Sequence, residues 1–129
     1  MKLQKSTECA LRILQYLHIN EHDGKAHSAE TIARAVNMTY PFFLKVANQL
    51  RNKGYVIAVQ GRNGGYKLAR TGQKISVYDV ILTTAGEIQI SSAPSGKTPC
   101  SMQRYFGELQ DTLIAKLSQQ YVEDFSVTA

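Results

Sequence analysis

The spacing of apolar residues changes period part-way along the chain, and each change marks an element. Over residues 2–19, Leu3, Ala10, Leu14 and Leu17 recur at helical spacing with Leu11 beside them, which predicts a first helix. The polar run 20–25 holds an Asp-Gly pair and predicts a turn. Ser28 then stands as an N-cap, with Glu30 in the first turn, where a carboxylate favours the helix dipole. Ile32, Ala33 and Val36 give this short helix its apolar face, and Asn37 ends it. Thr39 is the next cap. Pro41 sits in the first turn, where its missing N–H does no harm. Phe43, Val46, Ala47 and Leu50 follow at i, i+3, i+4 and i+7, predicting a buried face over roughly 41–53, with Lys45, Asn48, Arg51 and Asn52 on other faces and Gly54 as the C′ glycine.

After Gly54 the period falls towards two. Residues 55–59 are β-branched and aromatic, residues 60–65 are a Gly-rich turn, and residues 66–69 return as a second strand. Ser76 caps a further helix carrying Val77, Val80, Ile81 and Thr84 and ending near Gly86. Residues 91–101 hold small residues, two prolines and a glycine, and are expected to be a loop. A long amphipathic helix is predicted from about 101 to 121, with Met102, Phe106, Leu109 and Leu113 in one stripe extended by Leu117 and Tyr121.

These elements predict a mainly α fold with a small β-hairpin: a winged helix-turn-helix over residues 1–86, a loop over 87–100, and a dimerisation helix with a C-terminal tail over 101–129. The last helix follows a domain with little evident core left to cover. Pairing with a second copy through Met102, Phe106, Leu109, Leu113 and Leu117 is preferred over packing back on its own domain.

Charge adds to this picture through its distribution. The net formal charge is +5, but residues 1–75 hold 12 Lys/Arg against 4 Asp/Glu, and residues 76–129 hold 3 against 6. A basic first part suits a polyanion, leaving the acidic remainder for interaction. No run approaches a membrane span, and the first residues lack a signal-peptide pattern, so a cytoplasmic protein with no membrane partner is expected. The two cysteines, Cys9 and Cys100, are far apart, and no zinc-ligand spacing is present. His18, His22 and His27 straddle the predicted turn near Asp23 without a nucleophile. They are expected to be surface histidines, with no metal site and no enzyme.

In helix-turn-helix docking, the start of the second helix approaches base edges while the first helix braces the backbone. The candidate contacts are therefore Ser28, Thr39, Tyr40, Pro41, Lys45 and Asn48. Thr39 and Tyr40 can donate to phosphates, Lys45 can reach a phosphate or a guanine edge, and Asn48 suits adenine. The hairpin tip adds Gln60, Arg62, Asn63, Gly64, Gly65 and Tyr66. Its glycines, with Gly61, let backbone approach a surface closely, and Arg62 can enter a minor groove or clamp a phosphate. Tyr66 suits core and contact equally.

On these stretches the chain resembles the Rrf-two family of bacterial transcription regulators, which includes IscR, NsrR and CymR. The resemblance rests on the opening MKLQKSTECALRIL, the segment SAETIARAVNMTYPFFLKVANQLRNKGYV, the wing VQGRNGGYKLA, the ISVYDVI helix and the terminal amphipathic helix. It spans nearly the whole chain. It implies a homodimeric winged-helix repressor or activator on pseudo-palindromic double-stranded DNA, with the long last helix as dimer interface. Many such regulators hold an iron–sulfur cluster with three cysteines in the loop before that helix. Here the loop keeps only Cys100, with Ser91, Ser92 and Ser95 where the others would fall. Glu8 matches a first-helix position that supplies an acidic ligand in some members.

The reading is therefore a DNA-binding regulator, a repressor in preference to an activator, with no cofactor expected and its effector unknown. Cys100 and Glu8 are the candidate sensor residues. Cys100, in a loop beside a helix start, is placed for a lowered thiol pKa, whereas Cys9 falls towards Ile13 and Tyr16 and is expected to be a small packed residue. The alternatives are a redox-responsive regulator acting through Cys100, an atypical iron–sulfur site, and a winged-helix protein–protein module that does not bind DNA.

Overall fold

A computed structural model of the chain describes residues 2–21, 24–69, 74–90 and 100–125. The expected loop serines, His22 and Asp23 lie outside the described residues. The element order is α1 (Lys5–Ile19), α2 (Ala29–Ala35), α3 (Tyr40–Asn52), β1 (Val56–Val59), β2 (Gly65–Leu68), α4 (Val77–Thr84) and α5 (Ser101–Gln119), followed by a short 3-10 turn, Val122–Asp124.

Side-chain caps set the starts of three helices. Ser28 accepts from the Thr31 N–H at 3.1 Å and Thr39 from the Phe42 N–H at 3.4 Å. Ser76 and Asp79 form a reciprocal capping box at 3.0 and 3.1 Å. The first helix begins later than its pattern suggests: Leu3 lies before α1 and is 46% exposed at the rim of a groove.

Three helices enclose the core. Ala10, Ile13, Leu14 and Leu17 of α1 meet Ile32 and Ala33 of α2 and Phe43, Val46, Ala47 and Leu50 of α3, with Val56 and Val80 closing the sides. The turn from α2 to α3 passes through Asn37 at φ +58°, a left-handed position that Asn tolerates. The Met38 N–H returns to the Ala33 carbonyl at 2.8 Å. Thr7 is fully buried and donates to Thr84 Oγ1 at 2.6 Å, while Thr84 donates to the Val80 carbonyl, so α1 and α4 share a satisfied polar contact.

The hairpin is antiparallel, with Val56 opposite Leu68 and Val59 opposite Gly65. A backbone bridge ties it to the segment before α2: His27 N–H donates to Tyr66 O at 2.9 Å and Tyr66 N–H to His27 O at 2.8 Å. The long helix stops at Gln119, earlier than the pattern implies. The chain then bridges back to the start of α4, through Val77 N–H to Gln120 O at 2.8 Å and Val122 N–H to Ile75 O at 2.9 Å. Val122 enters the main core, 2% exposed. Among the described residues no helix is long and apolar enough to cross a membrane.

Candidate nucleic-acid interface

The buried face of α3 determines which of its residues reach solvent. With Phe43, Val46, Ala47 and Leu50 turned inward, Pro41, Lys45 and Asn48 share the opposite, exposed face, and Thr39 and Tyr40 are exposed at its start. Asn48 Oδ1 accepts from Arg51 Nη2 at 2.9 Å, which leaves the Asn48 amide N–H groups outward and brings Arg51 onto the same surface. Thr39 keeps its hydroxyl proton while capping α3. Ser28 Oγ caps α2 and donates to Thr31 Oγ1 at 2.7 Å, so its proton is engaged. Lys5 was not among the sequence candidates. Its Nζ lies 5.6 Å from the Phe42 ring centroid and adds a cation beside the start of α3. No local pattern links the first residue of α1 to α3, so sequence periodicity carried no signal for it.

The hairpin tip divides into two parts. Gln60, Arg62 and Asn63 are exposed, whereas Gly64, Gly65 and Tyr66 are half-buried. The close approach expected of the glycines is made to the protein's own backbone. A Cβ on Gly64 would lie 2.2 Å from Val59 O, and one on Gly65 would lie 2.0 Å from His27 O. The Tyr66 ring meets Phe43 edge-on, with centroids 5.5 Å apart at 78°. Tyr66 thus fastens the wing to the buried side of α3. His27, expected on the surface, is part of the same joint: its ring meets Tyr16 edge-on at 5.6 Å and Nε2 lies 3.2 Å from Asn20 O.

The α5 stripe is split. Met102 and Leu109 are exposed at 65% and 43%, joined by Tyr105 at 62%, which the sequence stripe omitted. Phe106 is half-buried with its ring edge-on to Tyr105. Leu113 and Leu117 are half-buried and line a groove of about 550 Å³ with Leu3, Thr7 and Ile81.

The two cysteines differ sharply. Cys9 is 4% exposed, and burial pushes its thiol pKa up against the opposing pull of Arg12 and Lys5. Cys100 is exposed immediately before α5, where its N–H donates to Gln103 Oε1 at 3.0 Å. Glu8 is exposed on α1. Exposed Cys100 is expected to react with a thiol reagent at least about tenfold faster than buried Cys9, which stays protected until the chain unfolds. Labelling with and without urea, read by mass spectrometry, checks this.

Comparison with known proteins matches the Rrf2 family model, described as an iron-dependent transcriptional regulator, over residues 3–127. The chain belongs to the Rrf2 family. An HTH-type transcriptional regulator NsrR of Halalkalibacterium halodurans is 30% identical over 121 residues, covering 91% of this chain and 82% of that protein. Protein aau3 of Rhizobium meliloti is 32% identical over 103 residues, covering 79% of this chain and 66%, just under two thirds, of its own length. Among solved structures, CymR, the global cysteine regulator of B. subtilis, superposes with a TM-score of 0.82 at 23% identity, covering 96% of this chain and 95% of CymR. T. potens IscR gives 0.77 at 20% identity, covering 96% and 85%. These structures share the winged-helix fold. This Rrf2 member is accordingly a DNA-binding transcription regulator rather than an enzyme.

The iron in the family's description can be set against the donors present. A four-cysteine iron–sulfur site needs more thiolates than the two this chain contains, and one of those is buried within α1. Among the described residues no group of three His, Cys, Asp or Glu gathers as metal ligands. This donor set does not fit a cysteine-held cluster.

Proposed function

We propose that the protein is a homodimeric, cytoplasmic repressor that binds a pseudo-palindromic operator in double-stranded DNA and works without a cysteine-held cluster. The observation that carries this reading is the exposed Pro41–Lys45–Asn48 face of α3, backed by a fully buried face and joined through Tyr66 to a wing bearing Arg62. Thr39, Tyr40, Lys45 and Asn48 engage the groove, and Gln60, Arg62 and Asn63 the flanking backbone or minor groove. Gly64, Gly65 and Tyr66 hold the wing at its angle, and Ser28 fixes the helix that braces the backbone. The winged-helix domain spans 1–86, the loop 87–100 joins it to α5, and 101–129 supplies the dimer surface and tail. The test is a titration of duplex DNA from the protein's own upstream region across a salt series. Affinity falls steeply with salt because bound cations release counterions from phosphates. An absence of salt-dependent affinity would favour a protein–protein module.

Met102, Tyr105 and Leu109 form the surface offered to a second copy, and the groove beside Leu113 and Leu117 extends it. Three large apolar side chains exposed on one helix are the kind of patch that marks an interface. Leu109→Glu is expected to shift sedimentation from dimer to monomer at micromolar concentration, while far-ultraviolet dichroism stays unchanged. A variant still dimeric would move the interface elsewhere.

A second reading is favoured by the exposure of Cys100 beside the start of α5: a regulator that responds to oxidants through this thiol. In that case Cys100→Ser abolishes the response of DNA binding to peroxide. Under the first reading the variant and the parent behave alike.

A further inference from the structure

A separate cavity of about 240 Å³ lies at the root of the wing, away from the exposed face of α3. The end of α1 contributes Leu17, the segment after it Glu21 and Lys25, and the hairpin Ile57, Lys67 and Leu68. Its lining is therefore mixed, with aliphatic side chains accompanied by the Glu21 carboxylate, the ammonium groups of Lys25 and Lys67, and the His27 imidazole. Such mixed lining, apolar with a few fixed polar groups, is the usual character of a small-molecule site.

Glu21 is the informative residue. Its Oε1 lies 3.3 Å from His18 Nδ1, but Oε2 is removed from solvent and accepts no hydrogen bond from the described residues. A buried acceptor without a donor is costly, and a ligand N–H removes that cost. The donor that best matches a carboxylate oxygen is a charged one. Lys67 offers the complementary interaction to an anion, and Leu17, Ile57 and Leu68 supply an apolar surface. A molecule with an ammonium, a carboxylate and a short hydrocarbon group satisfies all three. The volume corresponds to about eight water-sized units, the size class of leucine or methionine. Inorganic phosphate answers the lysines but brings no cation to Glu21 and covers none of the apolar wall.

We propose that this cavity binds a free α-amino acid with an apolar side chain, its ammonium on Glu21 and its carboxylate on Lys67. The ligand then touches both the end of α1 and the wing, so its presence changes how freely the wing moves against the helical core. This site lies beyond the DNA-binding reading, and it is tested without DNA.

The experiment is calorimetric titration and thermal melting of the full chain with L-leucine and L-methionine. The controls are isocaproate, which lacks the ammonium, isoamylamine, which lacks the carboxylate, and inorganic phosphate. Saturable binding of at least one amino acid with a raised Tm is expected, and each single-charge analogue should bind about tenfold more weakly or worse. Lys67→Ala and Glu21→Gln should each lower affinity by about tenfold, and Arg62→Ala should leave it unchanged. Ile57→Glu, at an exposed rim position, provides a further blocking variant should Glu21→Gln fold poorly. The proposal is overturned by the absence of saturable binding of both amino acids at roughly 10 mM. It is equally overturned by analogues binding as well as the amino acids, by phosphate binding alone, or by affinity that survives all three cavity substitutions.

Discussion

Phe43→Ala is expected to lower unfolding stability by about 3–5 kcal/mol, seen as a fall in the urea midpoint at unchanged slope. Phe43 has no solvent exposure and stands at the centre of the α3 face that closes the core. Truncation removes a full ring from a space bounded by three helices, and the walls cannot collapse to fill it. The same ring supports Tyr66 edge-on at 5.5 Å, so the wing loses its seat as well. Domains of this size have about 5–15 kcal/mol in total, so the variant is expected to be partly unfolded at physiological temperature. A loss below about 1 kcal/mol would contradict the placement of Phe43, since even conservative core trimming costs that much.

Gly65→Ala is expected to free the wing from the helical core. Gly65 has φ +144°, and an added Cβ would lie 2.0 Å from His27 O and 2.8 Å from Ser28 Cα. Both obstacles are backbone atoms, so no rotamer change relieves them. The strand must move away, and the paired hydrogen bonds between His27 and Tyr66 break with it. The Tyr66 N–H should lose most of its hydrogen-exchange protection, and DNA affinity should fall by more than about tenfold, with α-helical content retained. Gly61→Ala is the control. Gly61 has φ +102° with nothing within 4 Å of an added Cβ, so only conformational strain of about 1–2 kcal/mol applies. Equal consequences for the two variants would contradict the close approach at Gly65.

The contrast between these glycines shows what the sequence discloses and what it withholds. Helix starts were legible because their signals are local: Ser28, Thr39 and Ser76 each bond a backbone N–H three residues ahead. The inward face of α3 was legible because its spacing is purely helical. The approach of Gly65 to His27 joins segments 38 positions apart, and no periodicity encodes it. The same holds for Lys5 over Phe42 and for the return of Val122 to the core. In α5 the heptad-like stripe was visible, but which of its members face their own domain depends on α4 and α1. That is why Leu113 and Leu117 line a groove while Tyr105, outside the stripe, is exposed. The family was legible from its motifs. The effector was not, because segment 87–100, where the resemblance would place cluster ligands, holds a single cysteine, Cys100.

The most direct test of the central claim, that the α3 face and the wing tip together read DNA, is fluorescence anisotropy of a labelled upstream duplex. The parent chain is compared with Lys45→Ala, Arg62→Ala and the double variant at one fixed salt concentration. Both side chains are exposed and outside the core, so the fold should survive. Each single variant is expected to lose about tenfold in affinity and the double variant about a hundredfold, with a shallower salt dependence, because two phosphate- or base-facing cations are gone. Unchanged affinity and an unchanged salt slope in the double variant would contradict the account.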